Sequence, residues 1–278
     1  MSEIVVEKYN MEHEKRGIAL VINIRKYDAP NQKMERVWSV KDVENLKKTL
    51  NYLEFQVVLC HNLTKSELEQ VMREQAKLNY EKYDCFLCVV MSHGNDEKIV
   101  TSDNKAISFE EIMSPIKECP TLVGKPKLFF FQACRGENEM VNREDSGVSK
   151  SNVNNPFEFE EIPNNSTTST SHSSNSKNDK KKTFIKFEAD LLVYYATKKH
   201  YYALANNTYE GTLFIESVCQ VFNEAYKGIP KNLSLSQMIT STNKMVEEKG
   251  GIQLTDLSLN FKKEVYFTPK NVSFSLSL

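Results

Sequence analysis

Several features are missing, and each absence excludes a class of protein. No stretch strings together the roughly 18 apolar residues that a membrane-crossing helix needs. Residues 1–16 are polar and charged and hold no apolar signal core, so no secretory leader is expected. Net charge is absent too: 36 basic against 37 acidic side chains leave −1, and no overall field favours nucleic acid or a membrane surface. The six cysteines show no disulfide spacing, and at least three lie in apolar, strand-like runs. They read as free buried thiols of a reducing compartment, which places the chain in the cytoplasm. Cys85 and Cys88 do form a CxxC, a spacing used by zinc and redox sites. No second Cys/His pair matches it, and on a strand an offset of three sends the two thiols to opposite faces. The core reading is preferred, and no metal or cofactor is expected.

What is present is a globular chain. Its 278 residues are 40% hydrophobic and 10% aromatic, enough for a sizeable core in one or two domains. Short apolar runs alternate with helical patterns. Strands are expected at 16–23, 55–60, 86–92, 127–134 and 190–197, with late strands at 251–261 and 264–269. Helices are expected from Ser39 (as N-cap) to Leu53, and from Thr64 to Leu78 behind a TKSE capping box. A short helix covers 107–116, and two longer ones span 211–226 and 233–248. Continuous apolar strands between helices predict an α/β fold: a mostly parallel sheet covered on both faces. Leu257, Leu259 and Phe261 alternate with Ser258 and Asn260, the pattern of a half-buried edge strand.

Between Ser146 and Lys182 the composition changes, and about half the residues are Ser, Thr or Asn. Such a segment buries too little apolar area to offset its ordering entropy, so 146–186 reads as a disordered linker. His172 lies inside it and reads as a bystander.

Chemistry concentrates where two strands end. The run KPKLFFFQACRGE carries Gln132, Cys134 and Arg135 at its close, and FLCVVMSHGND carries His93 and Gly94. Open α/β sheets bind ligands at the carboxyl ends of their strands. Of the five histidines, His93 alone ends a buried strand. If the strands are neighbours, the imidazole takes the thiol proton and later protonates a leaving amine. Backbone N–H groups of Gly94 and Cys134 suit the oxyanion, and a glycine lets substrate approach closely. By themselves these residues leave two readings open, because a buried thiol is more often a packing residue and a strand-end histidine often a surface one.

The letters QACRG (132–136), with a histidine upstream, resemble the signature of the caspases. YNMEHEKRGIALVIN (9–23), SHG (92–94), EADLLVYYAT (188–197) and KEVYFTP (263–269) extend the likeness over nearly the whole chain outside the linker. The chain is similar to caspases of the short-prodomain effector type, as found in insects. That resemblance implies a six-stranded sheet with five main helices, in one caspase domain. Residues 1–8 would be a short extension, 9–145 a large-subunit region and 187–278 a small-subunit region. It implies a zymogen cleaved between them, and Asp145 in REDSGV is the expected processing site, in an accessible segment. It also implies cytosolic cleavage of protein substrates after Asp, in apoptosis or related signalling. Pairing through the 254–261 strand would give a homodimer or a heterodimer with a paralogous caspase.

The family's substrate pocket implies two arginines and a glutamine around the Asp carboxylate. Arg36 fits the first arginine and Gln132 the amide. The second arginine belongs to a motif like Tyr-Ser-Trp-Arg-Asn, and here the chain reads Tyr202-Ala203-Leu204-Ala205-Asn206. Leu204 stands in the Trp position and Ala205 in the Arg position. Losing such a partner of a desolvated carboxylate costs about 2–5 kcal/mol. Lys198, Lys199 and His200 are nearby sources of charge. Arg135 is expected to brace its loop. Two readings follow: a weak or altered cysteine endopeptidase, or a pseudo-caspase that binds a paralogue without cutting. A non-proteolytic α/β binding module is a distant third.

Overall fold

The computed structural model describes residues 6–136, 188–203, 211–228, 232–250 and 253–270. The linker 146–186, Asp145, Leu204 and Ala205 lie outside the described residues. In chain order the elements are β1 (Lys15–Asn23), α1 (Ser39–Tyr52), β2 (Gln56–His61), α2 (Lys65–Ala76) and β3 (Tyr83–Met91). A small antiparallel pair follows, β4 (Lys98–Val100) and β5 (Ala106–Ser108), then α3 (Phe109–Lys117) and β6 (Lys127–Gln132). The chain closes with β7 (Leu191–Tyr195), α4 (Leu213–Tyr226), α5 (Leu235–Gly250) and β8 (Asp256–Leu259).

One six-stranded sheet runs in the order β2-β1-β3-β6-β7-β8. The first five strands are parallel, and β8 runs antiparallel to β7 at the edge. Alternation along each strand explains the continuous apolar runs, because both faces are covered. Ala19, Val21, Leu87, Val89, Leu128 and Phe130 share one core with side chains of α1, α4 and α5. Ile18, Leu20, Phe86, Val90, Phe129 and Phe131 share the other with α2 and α3. The CxxC splits as its spacing predicts: Cys85 lies in the first core and Cys88 in the second. All six cysteines are free. The sheet is continuous from β6 to β7, so the regions before and after the linker segment form one fold. The Tyr9 hydroxyl adds a tie by donating to Asp190 Oδ1 at 2.6 Å.

Four expectations need correction. Ser39 is not the cap of α1; it is the first helical residue, and Trp38 precedes it. Its hydroxyl donates to the Arg36 carbonyl and accepts from Asn23 Nδ2, so it is committed elsewhere. Ile107 and Ser108 belong to β5, with Ser108 capping α3 through a capping box with Glu111. Among the described residues, the late strand expected at 264–269 forms no ladder beyond one bridge, Lys8↔Glu264. There the Val265 carbonyl is taken by the Leu235 N–H of α5, while Val265 and Phe267 are buried in the core. The strand expected over 251–261 spans only 256–259 and is less buried than its alternation suggests: Leu257 and Leu259 are exposed. The box at Thr64 forms as read.

Candidate active site

β3 and β6 pair in parallel as far as Met91↔Gln132, and the Ser92 N–H adds a bond to the Gln132 carbonyl. His93 and Cys134 each stand two residues beyond that last pairing, at the carboxyl edge of adjoining strands. Gly94 lets the two loops nest. A Cβ there would meet Lys98 O at 2.7 Å, and Ala133 Cβ and Cys134 O at 3.2 Å. The glycine therefore serves the chain's own packing, in addition to any approach of substrate.

His93 is held on several sides. Its N–H donates to the Tyr27 hydroxyl (3.1 Å), and its carbonyl accepts from the Val100 N–H (2.9 Å). Its Nε2 lies 2.9 Å from the Met34 carbonyl. A carbonyl oxygen can only accept, so Nε2 carries the proton and Nδ1 the lone pair. Burial pushes the imidazole down to about 4, and the Arg36 guanidinium adds to this against the pull of the Met34 carbonyl. Burial raises the half-buried Cys134 thiol above its usual range, while the Ala203 backbone and Arg36 work the other way. At neutral pH the resting pair is thus a neutral thiol and a neutral imidazole.

Arg36 sits between β1 and α1, buried to 3% exposure. Its Nη1 donates to Asn23 Oδ1 (3.3 Å) and the Ile24 carbonyl (3.1 Å), and Ser39 closes the triangle with Asn23. Its charge bears on both His93 and Cys134, lowering the pKa of each. Gln132 is buried at the end of β6, and its Oε1 has no hydrogen-bond partner among the described residues. A buried guanidinium and an unsatisfied amide oxygen are groups that a polar ligand would complete.

Arg135 braces its loop as expected. It is buried, with Nη1 2.6 Å from Asp256 Oδ2 at the start of β8 and its guanidinium 3.9 Å from the Tyr195 ring centroid. The Arg135 N–H donates to the Tyr201 carbonyl, and Cys134 Sγ lies 4.0 Å from the Ala203 carbonyl. The segment 201–203 thus runs beside the cysteine loop, with Tyr202 half-buried and Ala203 against the core. Two side chains nearby, Lys199 and His200, meet acids of the histidine loop. His200 Nδ1 lies 2.6 Å from Asp96 Oδ2, and Lys199 pairs with Glu97 at 3.6 Å.

Reasoning from sequence overlooked Tyr27, Asp96, Asp256 and the Met34 carbonyl. Asp96, three residues after His93, was the nearest legible signal. Asp256 was another, as a lone charge opening an alternating strand. Nothing local marks Tyr27 or Met34, which arrive from a different loop.

The caspase domain model matches residues 16–266. The chain is 30% identical to Caspase-7 of Gallus gallus over 260 residues, covering 93% of this chain and 75% of that protein. It is 28% identical to Caspase-8 of Mus musculus, covering 94% of this chain and 53% of the relative, so it spans about half of that longer protein. Caspase drICE of Drosophila melanogaster is 31% identical over 76% of this chain and 56% of its own length. The crystal structure of Caspase-1 from Spodoptera frugiperda shares the fold, with a TM-score of 0.73 at 23% identity over 97% of this chain and 98% of that one. Among the described residues no helix is long and apolar enough to cross a membrane. A matched domain over most of the chain, the six-stranded sheet and relatives at this identity show that the chain belongs to the caspase family of cysteine peptidases.

Proposed function

We propose that the chain is a cysteine endopeptidase in which Cys134 is the nucleophile and His93 its base. The observation that supports this best is their shared register, each two residues past the Met91↔Gln132 pairing. Since both groups rest neutral, Nδ1 of His93 takes the thiol proton as Sγ attacks the scissile carbonyl. The N–H groups of Gly94 and Cys134 receive the oxyanion. The imidazolium then protonates the departing amine, and His93 activates the water that hydrolyses the thioester.

Arg36 and Gln132 hold the carboxylate of a substrate Asp, and Tyr202, Ala203, Leu204 and Ala205 line its approach. Ala205 supplies no charge, so recognition of Asp is weakened by about thirtyfold or more. The substrates are cytoplasmic proteins of apoptosis or a related pathway. Cleavage at Asp145 separates a large region (9–145) from a small one (187–278), joined before cleavage by 146–186. Copies pair through 254–261, where Leu254, Leu257 and Leu259 are exposed, to give a homodimer or a heterodimer with a paralogue. Ala205 also favours a second reading, a pseudo-caspase that regulates such a paralogue with little proteolysis.

A fluorogenic peptide panel with Asp, Glu or a neutral residue before the cleaved bond tests both, using wild type, Cys134→Ala and Ala205→Arg. Weak Asp-directed cleavage, lost in Cys134→Ala and strengthened in Ala205→Arg, supports the endopeptidase. An inert parent that Ala205→Arg converts into an Asp-directed enzyme supports the regulator. Strong cleavage after Asp by the parent, or cleavage unchanged in Cys134→Ala, refutes the account.

A further inference from the structure

Beyond the end of β3, His93 is fastened by a cluster of hydrogen bonds around the Tyr27 hydroxyl. The Ser92 hydroxyl lies 2.5 Å from the Val100 carbonyl, which can only accept, so Ser92 spends its one proton there. Its oxygen lies 3.0 Å from the Tyr27 hydroxyl, whose own single proton is shared between Ser92 Oγ and the Ile24 carbonyl at 3.1 Å. The Tyr27 oxygen in turn accepts from the His93 N–H at 3.1 Å. The Val100 N–H returns to the His93 carbonyl at 2.9 Å. His93 is thus tied to Val100 directly through backbone and again by way of Tyr27 and Ser92, and the Tyr27 hydroxyl is also tied to its own loop at Ile24. Tyr27 and Ser92 are both buried, and burial holds the phenol protonated, so its hydroxyl remains a donor.

The same tyrosine touches the imidazole with its ring. The two centroids are 5.3 Å apart with an interplanar angle of 40°. The ring therefore flanks His93 while the Met34 carbonyl holds Nε2. Tyr27 follows β1, whose extension is tied to β3 by the Ile24 N–H to the Met91 carbonyl. One side chain thus fixes the backbone of His93 through its hydroxyl and flanks its ring, without any need to reach the reacting atoms.

We propose that Tyr27 is a positioning residue: its hydroxyl, held by Ser92 and the Ile24 carbonyl, sets the place of His93, and its ring flanks the imidazole whose Nε2–H is held by the Met34 carbonyl, leaving Nδ1 as the basic nitrogen. This rests on the reading of His93 as the base for Cys134. It assigns the aim of that base to a residue from outside both motif loops.

The test uses the full chain and two conservative variants, Tyr27→Phe and Ser92→Ala, with His93→Gln as reference. Three quantities are measured: alkylation of Cys134 by iodoacetamide across pH, the ring-nitrogen NMR shifts of His93, and peptide cleavage. Tyr27→Phe keeps the ring and loses only the hydroxyl. Its alkylation and its kcat are expected to fall about ten- to hundredfold with KM little changed, the size of effect that a misplaced catalytic group produces. Its ring-nitrogen shifts should lose the single Nε2–H signature, and the imidazole titration should move up as water gains access. Ser92→Ala, which leaves the Tyr27 hydroxyl its Ile24 partner, should show the same changes to a smaller degree, and the double variant should be no worse than Tyr27→Phe alone, because both act through the Tyr27 hydroxyl.

Unchanged alkylation and unchanged ring shifts in a folded Tyr27→Phe overturn the proposal. If Tyr27→Phe does not fold, the same criteria apply to Ser92→Ala. Equal alkylation of wild type and His93→Gln also overturns it, together with the assignment of the base. A wild type that cleaves no peptide, but whose alkylation and ring shifts respond to Tyr27→Phe, defeats the peptidase reading and leaves the positioning role standing.

Discussion

The guanidinium of Arg135, the residue after Cys134, meets the carboxylate of Asp256 at 2.6 Å on the first residue of the edge strand β8. The two lie far apart in the chain and close the cysteine loop against the sheet edge. Arg135 is the buried partner; Asp256 is partly open to solvent. Removing the carboxylate and removing the guanidinium should therefore differ. Arg135→Ala deletes the ion pair, the Tyr195 stacking and a bond to the Asp96 carbonyl. It is expected to cost about 2–4 kcal/mol. Asp256→Asn retains an acceptor at a half-open site and should cost about 1 kcal/mol or less. Chemical denaturation of the two variants checks the order, and equal losses contradict it.

The imidazole of His93 must be neutral to accept the thiol proton, and burial with Arg36 pushes it down to about 4. The acid limb of kcat/KM is accordingly expected near pH 4 instead of near the ordinary histidine value of about 6.5. A pH series of peptide cleavage or of Cys134 alkylation reads this directly. A limb at 6 or above would mean that the ring is solvated and that the neutral resting pair is wrong.

Asp42 in α1 is buried. Its Oδ1 accepts from the Thr212 N–H at 2.7 Å, while Oδ2 has no hydrogen-bond partner among the described residues. Burial raises its carboxyl from 3.8 to about 6, against the lowering by Thr212 and Arg36. The folded chain therefore holds this proton more tightly than the unfolded one. The group contributes stability at low pH, which is lost as pH rises from about 4 through about 6. Asp42→Asn should abolish that loss, and the variant should gain on wild type by about 2–3 kcal/mol between pH 4 and 7. His93 titrates with the opposite sign over the same window, so the difference between variant and wild type is the informative quantity. Parallel unfolding midpoints across this range would refute the assignment.

Gly94→Ala places a methyl group 2.7 Å from the Lys98 carbonyl, and 3.2 Å from Ala133 Cβ and the Cys134 carbonyl. Backbone cannot yield as a flexible side chain would. The substitution should cost about 1–3 kcal/mol and spread the two loops. Thermal unfolding measures the first effect and Cys134 alkylation the second. A variant as stable and as reactive as wild type would show that the loops are not nested.

Patterns of side-chain period were legible in the residues themselves. Continuous burial of the inner parallel strands, the division of Cys85 and Cys88 between two cores, the Thr64 capping box and the edge position of β8 all follow from local geometry, which each short segment carries within itself. The motifs around His93 and Cys134 likewise predicted neighbouring strands, and β3 and β6 pair as that required. Segments whose backbone bonds are satisfied from afar were misread. Ser39 looks like a cap until Asn23 and the Arg36 carbonyl claim its hydroxyl, and 264–269 looks like a strand until α5 takes the Val265 carbonyl. Which nitrogen of His93 carries the proton, how far burial shifts both partners, and that Tyr27, Met34 and Asp256 converge on the two loops were decided only by the tertiary structure. Those properties depend on distances between residues far apart in the chain, and desolvation and hydrogen bonding act through space, where spacing along the sequence gives no measure of them.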